Sequence, residues 1–100
     1  MSSGVSRMAV GSFTGTGAIL NIRTIDFRPR RVVLTNVSAD NAKGEWLEGM
    51  AADSAIKTIT DGTISIITSG GITILSNGFT LGADTDLNVS GELVRFVAWE

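Results

Sequence analysis

The sequence predicts an all-β fold, an antiparallel β-sandwich or jelly-roll-like barrel built from short strands and Gly/Asn turns. Two observations carry that expectation. Short runs rich in β-branched and aromatic residues recur along the whole chain. Clusters of Gly, Asn, Ser and Asp separate them at roughly eight- to twelve-residue intervals, the spacing typical of sandwiches and barrels. One hundred residues fit a single domain. The expected division is an extended N-terminal arm over residues 1–7 and one sandwich domain over 8–100.

Residues 7–14 alternate, which puts Met8, Val10 and Phe13 on an inner face with a bulge near Gly11. Gly15-Thr16-Gly17 reads as a turn, and residues 19–25 as a second strand. Asp26-Phe27-Arg28-Pro29-Arg30 forms a corner, because the only proline locks φ and cannot donate to a ladder. Residues 31–37 are the best central strand, a β-branched apolar run. A small polar turn over 38–42 leads into residues 45–50, with Trp46, Glu48 and Met50 on one side of the pleat. Residues 51–57 are read as a helical turn or a loop, the one place where composition permits helix, although about seven residues make a marginal one.

Residues 63–68 form a strand, Ser69-Gly70-Gly71 a tight turn, and 72–75 the returning arm of a hairpin. Ser76-Asn77-Gly78 turns again, 79–82 is a short strand and 83–86 a loop. The final strand, 92–99, has Leu93, Arg95, Val97 and Trp99 on one side and Val94, Phe96 and Ala98 on the other. Apolar groups on both sides predict a central strand, or one whose second face a neighbouring subunit covers.

The composition is 43% hydrophobic and 18% charged. So low a charge density leaves neutral or apolar surface that is a candidate for burial against a partner. Residues 1–43 carry six basic and two acidic groups, net +4, and residues 44–100 two basic and eight acidic groups, net −6, which sum to −2. Either the two halves present opposite patches to partners or they interleave in space and the charges scatter. The longest apolar runs fall far short of the roughly 20 residues that span a bilayer. Residues 1–4 are small and mostly polar, without the pattern of a secretory leader. No membrane association is expected, and the protein is expected to remain soluble after synthesis in the cytoplasm.

Cysteine and histidine are absent, which removes the usual ligands of zinc, copper and haem and the usual base of a catalytic triad. No enzyme, cofactor or metal is expected. A Ser-Lys pairing through Lys43 or Lys57 lacks any strained nucleophile turn. The close carboxylate pairs are Glu45/Glu48 and Asp84/Asp86; the second sits in a predicted loop, where a calcium ion is conceivable but no EF-hand spacing exists. Gly15-Thr16-Gly17 lacks the third glycine of a dinucleotide fingerprint.

Arg28, Arg30 and Arg31 form the densest basic cluster. Guanidinium forks suit phosphate, but the acidic balance and the lack of a stacking platform argue against nucleic acid. An interface ion pair or a solvated corner fits better. Trp46 and Trp99 are candidates for core or interface, and Arg7 closes an arm that is either frayed or held by a partner copy. The candidate partner-facing residues are therefore Arg7, Arg28, Arg30, Arg31, Trp46 and Trp99.

Six segments taken together resemble a known group: residues 11–15 (Gly-Ser-Phe-Thr-Gly), 27–36 (Phe-Arg-Pro-Arg-Arg-Val-Val-Leu-Thr-Asn), 46–50 (Trp-Leu-Glu-Gly-Met), 71–73 (Gly-Ile-Thr), 78–82 (Gly-Phe-Thr-Leu-Gly) and 87–92 (Leu-Asn-Val-Ser-Gly-Glu). The chain resembles small β-sandwich virion proteins of tailed bacteriophages, of the capsid cement or decoration type, which are related to tail-fibre modules. The resemblance implies a homotrimer on the capsid surface that bridges and stabilises capsomers of the major capsid protein. It also implies an alternative, a tail-fibre or head-fibre module that binds a receptor or glycan. These motifs mark a fold and carry no chemistry, with Phe27 and Phe79 as core anchors.

Overall fold

Eight strands, joined without any helix, account for the ordered framework of the computed structural model, in which residues 7–38 and 42–100 are described. In chain order they are β1 (Met8–Thr14), β2 (Leu20–Ile22), β3 (Arg31–Asn36), β4 (Lys43–Leu47), β5 (Ser54–Thr58), β6 (Ile64–Leu75), β7 (Gly78–Leu81) and β8 (Leu93–Trp99). They form one antiparallel sheet in the order β1-β8-β3-β4-β5-β6-β7-β2. The sheet curls into a half-barrel. Phe79 of β7 meets Phe96 of β8 edge to face at 5.3 Å between ring centroids, although four strands separate β7 from β8 in the sheet. Their contact therefore crosses the interior. The all-β antiparallel expectation holds. The expected arm lies outside the described residues except for Arg7.

The core lies on the concave side: Val32 and Leu34 from β3, Trp46 from β4, Ile72 from β6, Phe79 and Leu81 from β7, and Val94, Phe96 and Ala98 from β8. Period-two alternation explains the set, since every second residue of β3 and β8 is buried. The terminal strand is central, as expected, lying between β1 and β3.

Three local expectations need correction. First, β1 runs in unbroken register with β8 from Met8 opposite Trp99 to Thr14 opposite Leu93, without a bulge. Ala9, Gly11 and Phe13 face inward, while Met8 and Val10 are 59% and 68% exposed. The cause is Phe96: a Cβ on Gly11 would lie 2.6 Å from its Cζ, so the inner face of β1 must be small at that point.

Second, residues 54–58 are strand rather than helix or loop. Asp53 precedes it with φ +62°, a conformation that aspartate tolerates better than most side chains.

Third, Ser69-Gly70-Gly71 does not reverse the chain. β6 continues through it, with residues 68–71 forming an excursion between Ile67, paired with Ala55, and Ile72, paired with Ser54. Gly70 takes φ +75°, and a Cβ on Gly71 would lie 2.5 Å from the Ser54 backbone. The glycines permit the crossing that bends one long strand around the barrel. The hairpin partner of 72–75 is β7, through the Ser76-Asn77 turn.

Two buried asparagines fasten the loop between β7 and β8. Asn88 Oδ1 accepts from the Thr16 and Gly17 amides, and its Nδ2 donates to the carbonyls of Ala18 and Gly82. Asn36 Nδ2 donates to the Asp86 carbonyl and to Glu92, while its Oδ1 accepts from the Ser38 amide. Every buried side-chain polar atom among the described residues is satisfied, as a polar cluster inside a small core requires.

Candidate interaction surface

Cross-strand register sorts the convex face into rows. One row runs Met8, Trp99, Arg31, Leu47. The next runs Val10, Val97, Val33, Glu45, Ile56, Ile66, across six adjacent strands. A third runs Ser12, Arg95, Thr35, Lys43, Thr58, Ile64. Of the eight large hydrophobic side chains exposed among the described residues, six point out of this face: Met8, Val10, Leu47, Ile64, Ile66 and Leu93. Isolated exposed apolar groups are ordinary, but a band in which they share one face with the half-buried Val33, Ile56 and Val97, broken by Glu45 and Arg31, marks a surface suited to contact.

The arginine corner borders that band, and its own acids neutralise most of it. Arg7 donates to Glu100 through Nε and Nη2 at 3.0 and 2.6 Å, and its guanidinium lies 5.3 Å from the Phe27 ring centroid. This pairing raises the Arg7 pKa and holds the Glu100 carboxyl below the ordinary carboxylate range. Arg30 approaches Glu48 at 3.7 Å. Arg31 Nε donates to Glu45 at 2.7 Å, and its guanidinium sits 4.6 Å from the Trp99 ring centroid. The positive first half and negative second half of the sequence thus interleave in space. Among the described residues, Arg23, Arg28, Arg95 and Lys43 form no ion pair. Two of these, Arg95 and Lys43, lie on the convex face in one row, two strands apart and hence separated by roughly 10 Å.

The six sequence candidates therefore divide. Arg31 and Trp99 meet on the convex face, Arg7 and Arg30 lie at its end beside Glu100, and Arg28 is exposed on the corner. Trp46 is only 5% exposed and donates its indole N–H to the Ala51 carbonyl at 3.1 Å. That places it in the core, with no surface to offer a partner. Sequence reasoning missed Met8 and Val10 as surface groups. The deciding contact is long-range: Gly11 lies opposite Phe96, which puts Ala9, Gly11 and Phe13 on the inner face.

A second cluster is internal. The Lys57 ammonium lies 2.6 Å from Asp86 and 2.9 Å from Asp84, and Lys57 is only 8% exposed. Burial acts to lower its pKa, but hydrogen bonds to Asp86 and Asp84 outweigh that effect, and the net direction is upward. Asp84 Oδ2 also accepts the amides of Asp86 and Leu87. The position between the two aspartates that the sequence offered to a calcium ion is filled by the lysine. No cluster of three or more metal-ligating acidic, His or Cys side chains occurs among the described residues.

No protein-family model, no curated protein and no solved structure matches this chain. The likeness to tailed-phage virion proteins therefore rests on the six sequence segments alone.

Proposed function

We propose that this chain is a non-enzymatic structural subunit of a tailed-phage virion, a capsid cement protein that docks through the convex face of its sheet. The observation that carries the reading is the row from Val10 to Ile66 across six strands, apolar except for Glu45, and edged by Arg95 and Lys43, which form no ion pair among the described residues. Such a face fits an apolar shell surface that carries carboxylates, with the charges setting register and encounter rate. The six segments quoted above supply the virion context. The partner is then the major capsid protein, and the location is the outer surface of the capsid.

The alternative, a glycan-binding module, draws less support. It calls for an open aromatic platform flanked by acids. Trp46 is buried, and the Trp99 ring is covered by the Arg31 guanidinium.

The test is to mix the protein with phage particles that lack it, then score co-sedimentation and thermal survival of the shell. Saturable binding that makes the particle more robust is expected for the wild type. Loss of binding is expected for Ile66→Asp and for Arg95→Glu. Wild-type protein that does not bind shells would sink the reading, and unimpaired Ile66→Asp would move the contact to another face.

A further inference from the structure

The two edges of the sheet are β1 and β2, and among the described residues only one of them is protected. β2 has three residues, too short to template another strand. β1 has seven residues, Met-Ala-Val-Gly-Ser-Phe-Thr, without a charge, a proline or a bulge. Those are the devices by which edge strands ordinarily avoid pairing with another chain.

The hydrogen-bond pattern identifies which groups stand open. The Arg7 carbonyl accepts from the Glu100 amide, and the Gly15 amide donates to the Glu92 carbonyl. Odd-numbered residues of β1 therefore turn their amides and carbonyls toward β8. The even-numbered ones, Met8, Val10, Ser12 and Thr14, turn theirs to the open edge.

We infer that β1 pairs antiparallel with β1 of a second copy, about a two-fold axis at Gly11, joining two half-barrels into one continuous sheet. Centring on Gly11 is the antiparallel register that uses all four outward residues. It sets Val10 beside Ser12 of the second copy and Met8 beside Thr14, with about eight interchain hydrogen bonds. On the concave side it sets Ala9 beside Phe13, small against large, and brings two glycines together where the backbones approach most closely. The contact is isologous and closes at two copies, in place of the trimer that the resemblance implies. It uses the backbone edge of β1 and shares only the β1 end of the convex face, Met8 and Val10, with shell docking, and it does not depend on that reading.

Sedimentation velocity on the whole chain tests it, with far-UV circular dichroism to verify folding of each variant. Wild type is expected to be a concentration-dependent dimer. Ser12→Pro removes one outward amide without touching a β8 hydrogen bond, and it should weaken the dimer. V10K/S12K places lysine beside lysine across the axis twice and should weaken the dimer by about tenfold or more. V10K/S12E places lysine beside glutamate and should restore it. A wild-type monomer or trimer overturns the inference, as does a dimer that V10K/S12K leaves intact. Equal behaviour of the V10K/S12K and V10K/S12E variants overturns the Gly11 register.

Discussion

Lys57 of β5 reaches into the loop between β7 and β8 and places its ammonium 2.9 Å from Asp84 and 2.6 Å from Asp86. The two carboxylates differ in what else they hold. Asp84 is almost buried and caps two backbone amides, whereas about a third of the Asp86 side chain is exposed. Asp84→Ala is accordingly expected to cost about 2–4 kcal/mol, since it orphans two amides and half the lysine's partners. Asp86→Ala should cost about 1 kcal/mol or less, because solvent screens the exposed partner. Urea unfolding of both variants checks the order, and a larger loss for Asp86→Ala would contradict the assignment.

The same cluster sets an alkaline limit. The folded-state pKa of Lys57 lies above its ordinary 10.5, so the folded state binds the proton more tightly than the unfolded chain. Its contribution is fully present below 10.5 and is lost as pH rises through the higher folded value. Wild type should lose stability in that alkaline window, and Lys57→Met should show a flatter profile there while being less stable at neutral pH. Denaturation midpoints measured as a function of pH decide it.

Glu100 works in the opposite sense. Its carboxyl pKa is held down by the Arg7 guanidinium, so its contribution is present above the ordinary carboxylate value and is lost as pH falls through the depressed one. Glu100→Gln should remove that acid-side dependence. Both groups are solvent-exposed, so added salt should diminish it as well.

Phe79 is fully buried and packs edge to face on Phe96 across the half-barrel. Phe79→Ala is expected to cost about 3–5 kcal/mol. For a domain of this size each kcal/mol corresponds to roughly 4–8 °C in Tm, so calorimetry should detect the loss without difficulty. A near-neutral result would mean that the sheet is not curled as described.

Gly11 and Phe96 should be coupled. Gly11→Ala drives a methyl into the ring edge and is expected to destabilise by about 1–3 kcal/mol. In a Phe96→Leu background the same change should cost less, and a double-mutant cycle measures the difference. Strict additivity would show that the glycine serves some other purpose.

Much of this architecture was legible in the sequence because alternation and turn residues are local signals. Val32 and Leu34, or Val94, Phe96 and Ala98, declare their buried side by period two alone. What stayed hidden depended on contacts far along the chain. Met8 and Val10 look like core residues until Phe96 is known to occupy the space opposite Gly11. Gly70-Gly71 looks like a hairpin turn until Ser54 is seen to lie against Gly71, where the glycine lets two backbones approach without reversing the chain. Asp84 and Asp86 look like candidate cation ligands, and so they are, but the cation is Lys57, 27 residues upstream of Asp84. The arginine corner was visible as a cluster. Its neutralisation was not, because Glu45, Glu48 and Glu100 become neighbours only through strand pairing.

The placement of β8 governs when this chain can fold. It lies between β1 and β3, pairing Trp99 with Met8 on one side and with Arg31 on the other. Neither of those strands can complete its pairing on that side until residues 93–99 have left the ribosome. The ladders that close the sheet therefore span nearly the whole sequence, which is the regime of high contact order and slow folding. During synthesis the uncharged β1 waits with both edges bare, so this protein depends on β8 arriving before another nascent chain does.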